Sequence, residues 1–370
     1  MLSIKVKNMD KEQLKDQATE WLCLLISTPR ISREEKQAAD LLQHLMTTHC
    51  QLQVSRQGNN LWATAPGYRP ERPTLLLNAH LDTVRPVGGW VRNPFEPTRE
   101  GDRIYGLGSN DDGASLVSLL QAFRVLSSRE QAYNLIFLAS AEEEVSGKEG
   151  IASVLPQLPP VAVALVGEPT GMQPAIAERG LMVLDVTAHG RAGHAAREEG
   201  DNAIYHAVED IEWFRTHQWP LVSPLLGPVK MTVTVIQAGT QHNVIPDECR
   251  FTVDVRTNEH YGNEALYNLI RQEVKSEVVA RSFRLNSSRI DPEHPLVRRA
   301  IALGGKPFGS PTLSDQALMP FPSMKMGPGQ SSRSHTADEF ITVSEIAEAI
   351  NHYITLLDGL ECEGLARQHI

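Results

Sequence analysis

The sequence predicts an α/β protein: a mixed, twisted sheet with helices on both faces, interrupted by an inserted α+β domain. Three observations predict it. First, short and continuously apolar runs, "TLLLNA" (74–79), "NLIFLAS" (134–140) and "VAVALVG" (161–167), read as strands buried on both faces. Second, these runs alternate with segments of helical apolar spacing, as a sheet covered by helices requires. Third, the pattern changes after about residue 174, where "LMVLDVTAHG" (181–190) alternates like a half-exposed strand.

The elements follow in order. Residues 11–27 and 34–48 have helical spacing, and "NLWATA" (60–65) is strand-like before the strand at 74–79. The Gly/Pro-rich stretch 85–108 reads as loop. "ASLVSLLQAFRVL" (114–126) is a helix, followed by strands 134–140 and 161–167. Then come strand 181–190, helix 203–216, strands 230–237 and 248–256, helix 263–280 and a last strand near 281–286. That order is β-α-β-β-α-β, a two-layer α+β unit. The first pattern returns with helix 294–303, strand "MKMG" (324–327) and helix 343–358. The predicted domains are therefore 1–173 with 287–370, and an insert over 174–286. The tail "ECEGLARQHI" (361–370) shows no element and reads as frayed.

Bulk properties exclude several classes. The 370 residues are 41% apolar and 22% charged, which is ordinary for a globular protein of about two domains. Four scattered cysteines form no Cys-x-x-Cys pair, which argues for a reduced, cytoplasmic setting and against a thiolate zinc site. The charged N-terminus does not resemble a signal peptide, and no run of 18 apolar residues exists to span a membrane. Net charge is −10 with no Lys/Arg cluster, so no nucleic-acid partner is expected.

Polar residues suited to metals sit where apolar strands end. "LLLNAHLDTV" ends in His80 and Asp82. "GLGSNDDGAS" places Asp111 between a Gly-rich loop and a helix start. "ASAEEEVSGKEG" carries Glu142, Glu143 and Glu144 after a strand, and "VALVGEPTG" ends in Glu168. "SRSHTADEF" offers His335 far downstream. Sites in open α/β sheets gather at the carboxyl ends of strands. Two histidines with Asp111, Glu144 and Glu168 make a nitrogen/oxygen set that suits zinc, with cobalt or manganese as alternatives. His80 and Asp82 are i, i+2 in extended chain, so Asp82 is placed to accept the second ring N–H of His80.

Together these stretches resemble the di-zinc deacylase and metallopeptidase family that includes acetylornithine deacetylase, succinyl-diaminopimelate desuccinylase and aminoacylase. "GRAGHA" (190–195), "NVIPDECRFTVDVR" (243–256) and "GPG…HTADEF" (327–340) extend the resemblance over most of the chain. It implies two divalent metal ions. His80 and Glu168 would hold one, Glu144 and His335 the other, with Asp111 between them. Glu143 would be the general base, although a register slipped by one, with base Glu142 and ligand Glu143, stays open. His194 would help hold the oxyanion, with a partner subunit as a possible source. Asn243 and Arg256 would hold a substrate carboxylate. Gly327-Pro328-Gly329 would shape the pocket wall; Arg179 and Arg333 are further candidates, although for each a solvated surface arginine is the favoured reading. The resemblance also implies a cis peptide after Asp111 and a homodimer formed through the insert.

The expected activity is hydrolysis of the amide bond of an N-acyl amino acid, as in acetylornithine deacetylase and arginine biosynthesis. Alternatives are a succinyl or acylcitrulline/diaminopimelate deacylase, and a dipeptidase or carboxypeptidase of the same family. The sequence departs from the family at Gly113-Ala114, where Lys-Gly is common, and in lacking a proline after His194.

Overall fold

A computed structural model describes residues 10–197 and 199–361. Helix α1 (Lys11–Ile26) starts where Asp10 accepts the Gln13 amide at 2.8 Å and the Gln13 side chain returns to the Asp10 amide. This reciprocal cap satisfies donors that the first turn leaves free. Helix α2 (Lys36–His44) continues into one wider turn to His49. Strands β1 (Val54–Gln57), β2 (Asn60–Thr64) and β3 (Thr74–His80) follow. Next come β4 (Thr98–Glu100), β5 (Arg103–Tyr105), helix α3 (Ala114–Ser127), β6 (Asn134–Ser140), the single-turn α4 (Ile151–Val154) and β7 (Val163–Val166).

The chain divides into two compact units, 1–176 with 290–308 and 314–370, and 177–289 with 309–313. The crossing lies three residues beyond the boundaries read from the sequence. Residues 309–313 group with the second unit, where the Ser310 carbonyl accepts the Arg179 amide.

The first unit is built on a sheet ordered β1-β2-β6-β3-β7-β17-β8, with β8 at Ala175–Glu178 and β17 at Ser323–Lys325. The central strands β6, β3, β7 and β17 are parallel, and β2 and β8 run antiparallel at the flanks. Every residue of β3, β6 and β7 is buried, as continuous apolar runs demand of strands covered on both faces. One side packs Leu76, Ile136, Leu138, Ala164 and Val166 with Ile151 and Val154 of α4. The other is covered by α3, buried almost throughout, with α1 and the last helix behind it. Parallel order brings the ends of β3, β6, β7 and β17 to one edge, carrying His80, Glu142–Glu144, Glu168 and Gly327.

The 85–108 segment is not wholly loop. Strand β5 pairs with β4 on one side and with β18 (Phe340–Thr342) on the other, forming a three-stranded sheet. Three-residue strands carry too little periodicity to be seen locally, and β18 lies 235 residues downstream of β5.

The second unit holds β9 (Gly180–His189), β10 (Gly193–His194), α5 (Ala203–Thr216), β11 (Lys230–Ala238), β12 (Val244–Ile245), β13 (Glu248–Thr257), α6 (Asn263–Glu273) and β14 (Glu277–Ala280). Its sheet runs β11-β13-β9-β14, entirely antiparallel. Alternate residues Met182, Leu184, Val186 and Phe251, Val253, Val255 face the helices and form its core. Helix α6 ends at Glu273, short of the predicted 280, and the last strand is 277–280 instead of 281–286. The β-branched run of "EVVA" pairs with β9, and that pairing outweighs the helical spacing. Short strands β15 (Ser288–Arg289) and β16 (Phe308–Ser310) belong to the crossing segments.

Helix α7 (Pro295–Ala302) and helix α8 (Val343–Leu357) complete the first unit. Thr342 and Glu345 cap α8 reciprocally, as the Thr-x-x-Glu spacing allows. The C-terminal tail from 362 lies outside the described residues. Among those described, no helix is long and apolar enough to cross a membrane.

Candidate active site

The site grows from backbone geometry. Asp111 lies between β5 and α3, and its peptide bond to Asp112 is cis. The Glu339 carboxylate accepts the amides of Gly108 (3.0 Å), Asn110 (2.8 Å) and Asp111 (2.9 Å), fixing the loop. The buried guanidinium of Arg30 donates to the carbonyls of Leu81 (2.6 Å) and Gly108 (2.7 Å), joining that loop to the end of β3. Gly108 has φ of +72°, and a Cβ there would meet Arg30 at 2.5 Å. Both facts restrict the position to glycine.

His80 is buried at the end of β3. Its Nδ1 lies 3.0 Å from the Asp82 carbonyl, which can only accept, so Nδ1 carries a proton. The Asp82 carboxylate is farther, at 3.6 Å. It accepts instead the amides of Glu143 (3.0 Å) and Glu144 (3.2 Å) and the Ser32 hydroxyl (2.6 Å). The i, i+2 reading of a direct Asp82 carboxylate–His80 bond is therefore corrected. Asp82 braces the turn of three glutamates, because two backbone amides outcompete one ring N–H for its oxygens.

His80 Nε2 faces Asp111 Oδ1 at 3.1 Å. His335 Nε2 faces Glu144 at 3.0 Å and Asp111 Oδ2 at 3.6 Å. A ring nitrogen and a carboxylate oxygen pointing at each other both offer lone pairs. Such contacts need a cation between them, either a proton or a metal. Two ligands of one tetrahedral zinc, each about 2.0–2.1 Å away, stand about 3.3 Å apart, close to these separations. The ligand atoms of His80, Asp111 and Glu144 lie within 4.8 Å of one another, as do those of His80, Glu143 and Glu168. The donors present thus fit divalent metal. Glu144, and not Glu143, meets His335. The Glu142 side chain turns away: a Cβ on Gly147 would fall 1.7 Å from its Oε2.

The electrostatics agree. Burial pushes the carboxyls of Glu143 and Glu168 well above the usual range, and neighbouring carboxylates push in the same direction. Burial likewise raises Asp112 to about 8. The bond to Glu144 lifts His335 to about 9. For Asp111, burial is outweighed by the bond to His80, which holds it below the usual carboxylate value. A concentration of acids that oppose one another's ionisation is what a bound cation relieves.

Other candidates are placed as follows. A Cβ on Gly327 would meet the Glu168 carbonyl at 2.6 Å, so this glycine admits the ligand loop. Arg333 pairs with Glu345 at 2.8 Å and lies over the Phe340 ring. In the second unit, Arg179 is 7% exposed and donates to the carbonyls of Pro228 and Leu226, so it is a buried structural group and not a solvated surface one. His194 is exposed on β10, and its Nδ1 accepts the Ala196 amide, leaving Nε2–H as donor. The Asn243 carbonyl accepts the Ala195 amide, which keeps those two residues together. Arg256 lies at the far end of β13. Its fork is engaged bidentately by Asp254, at 2.8 and 3.1 Å. The residues from Glu248 to Arg256 alone span about 26 Å of strand. The second unit therefore does not bring Arg256 to His194 and Asn243.

The braces Glu339, Arg30, Glu35 and Asp315 escaped sequence reasoning. "HTADEF" and "TLSDQ" contain two of them, but nothing in a string distinguishes a buried acid from a solvated one. Asp315 accepts the Ser140 hydroxyl at 2.5 Å and is raised by burial to about 7.

A parallel-centred sheet with nitrogen and oxygen ligands converging at its carboxyl edge defines a metallohydrolase. The chain belongs to peptidase family M20/M25/M40, whose family model matches residues 76–359. It is 28% identical to acetylornithine deacetylase of Proteus mirabilis (strain HI4320) over 294 residues, 74% of this chain and 76% of that protein. It is 24% identical to [LysW]-lysine/[LysW]-ornithine hydrolase of Sulfurisphaera tokodaii over 363 residues, 95% of this chain and 98% of that protein. Its fold matches the YxeP protein of Bacillus subtilis, described as a dinuclear metal binding peptidase, at a TM-score of 0.71 and 17% identity. That match covers 94% of this chain and 98% of the other.

Proposed function

We propose that the protein hydrolyses the amide bond of an N-acyl amino acid with two divalent metal ions, in the manner of acetylornithine deacetylase. The carrying observation is the convergence of His80, Asp111, Glu144 and His335, with Glu143 and Glu168 alongside. His80 and Glu168 would hold one ion and Glu144 and His335 the other, with Asp111 shared. When bound, such ions polarise a carbonyl and lower the pKa of water toward 7. Glu143 takes the proton from the attacking water at its carboxylate and returns it to the departing amine. Zinc suits the donor set, and cobalt or manganese also fit it. Asp82 holds the backbone of Glu143 and Glu144 through their amides, the one residue assigned to protons and the other to metal.

His194 Nε2–H is the proposed oxyanion donor. Its distance along the sheet from Arg256 supports a division of labour in a homodimer, where the two ends serve different copies. Edge strand β11 leaves Val235 and Ile236 about half exposed, and the neighbouring helix α5 exposes Tyr205 and Val208. An unpaired apolar edge of this kind suits a second copy. Sedimentation should report a dimer that Val235→Glu weakens. A monomeric wild type at micromolar concentration would overturn this part.

A dipeptidase or carboxypeptidase is the second reading, supported by the fold shared with the YxeP peptidase. A panel of N-acetyl- and N-succinyl-ornithine, citrulline and diaminopimelate beside dipeptides separates the two. Amine release from an acetylated or succinylated amino acid at least about tenfold faster than from any dipeptide is expected. The reverse order would replace the first reading with the second.

A further inference from the structure

The segment Arg30–Glu35, between α1 and α2, sends three side chains into the loops that carry the candidate ligands. Arg30 ties Leu81 to Gly108, and Ser32 donates to Asp82. Glu35 does something different. Its side chain is wholly buried. Oε1 accepts the amides of Arg33 at 2.8 Å and Glu142 at 3.2 Å, and Oε2 accepts the Asn59 side-chain amide at 3.2 Å. Both backbone amides on that one oxygen belong to left-handed residues, Arg33 at φ 73° and Glu142 at φ 55°. Residues other than glycine hold that conformation only where surrounding bonds impose it.

The turn of three glutamates is thus tied from two sides. Asp82 takes the amides of Glu143 and Glu144, while Glu35 takes that of Glu142. We propose that Glu35 is a positioning residue for the general base, fixing the backbone at Glu142 and so the direction in which Glu143 leaves the turn. This rests on the hydrolase reading above, in which Glu143 moves the proton. Glu35 itself touches no reacting atom. Its effect passes through one peptide unit, and placement errors of about 1 Å can cost on the order of 10²-fold in rate.

Two variants test the assignment. In Glu35→Ala the tie to the turn through the Glu142 amide is gone, together with the bonds to Arg33 and Asn59. In Glu35→Gln the amide oxygen can still accept from Arg33 and Glu142, and a rotated Asn59 side chain can accept from the new NH₂. With metal restored, Glu35→Ala should lose about 10–100-fold in kcat, the usual range for groups that orient a metal site, with KM within about threefold. Glu35→Gln should stay within about threefold of wild type. Amide hydrogen exchange on the metal-free proteins gives a readout that needs no substrate. The 139–150 peptide should exchange about tenfold faster or more in Glu35→Ala and near wild type in Glu35→Gln, with strand β3 unchanged in both. If the wild type hydrolyses none of the panel, the exchange result still judges Glu35 while the proposed reaction fails separately. Equal losses of kcat in both variants would show that charge matters and not hydrogen-bond geometry, overturning the proposal. So would unchanged exchange over 139–150 in Glu35→Ala, or faster exchange spread equally through β3.

Discussion

Replacing Glu143 with alanine is expected to lower kcat by about 10²–10⁴-fold while two metal ions per chain remain bound. The expectation follows from what each glutamate faces. Glu144 stands 3.0 Å from the ring nitrogen of His335, and Asp111 Oδ2 is 3.6 Å from the same nitrogen. Removing Glu144 deletes a donor from that group. Glu143 groups instead with His80 and Glu168, a position from which it would take the proton of a water that bound metal makes more acidic. Its carboxyl is buried among other acids, which raises its proton affinity well above that of a free glutamate. A base needs such tuning to work near neutral pH. Metal content by atomic emission, measured beside single-turnover rates, checks the assignment. Metal loss in Glu143→Ala, with retention in Glu144→Ala, would exchange the two roles.

Stripping the metal is expected to abolish hydrolysis and to make stability fall as pH rises from 6 to 9. Burial lifts Asp112, Asp315 and Glu339 to about 8, 7 and 7. A carboxyl raised in the folded state stabilises while protonated. That contribution is complete below its unfolded value near 4 and is lost as pH passes 7–8. His335, raised to about 9 chiefly by its bond to Glu144, contributes fully below about 6.5 and loses the contribution as pH passes 9. For His80, burial opposes protonation, but the bond to Asp111 and the negative charge of the Asp82 carboxylate nearby outweigh it and raise the ring in the same sense. Asp82 and Asp111 are shifted down and act oppositely, but only in the window below about pH 4. Between pH 6 and 9 the cited shifts therefore share one sign. Bound cations favour the deprotonated groups, so their stabilising effect should grow over the same window. The gap in Tm between loaded and stripped protein should widen by about 5 °C between pH 6 and pH 8.5. A gap that is constant or narrows would show that these acids do not carry the protons assigned to them.

Much of this was legible in the string. The buried strands could be read because a strand covered on both faces must be apolar at every position, and 134–140 was found to the residue. His80, Asp111, Glu168 and His335 stood out because polar residues ended such runs or followed a glycine-rich turn. The short strands β4, β5 and β18 were not legible, since three residues carry no measurable period. Helix α6 was overextended because "EVVA" has both helical spacing and strand propensity, and only its pairing with β9 decides between them. Nothing in the string singled out Glu35, Arg30 or Glu339.

By itself, then, the amino-acid sequence determined the layered architecture and the chemical types gathered at its carboxyl edge, because apolar periodicity and residue chemistry are local properties. Which glutamate turns toward His335, that Asp82 braces a turn of backbone instead of a ring, and that buried acids from the start and end of the chain hold the ligand loops were decided only in three dimensions. Each depends on hydrogen bonds between residues about 60 to 230 positions apart, and their partners are set by how the whole chain packs.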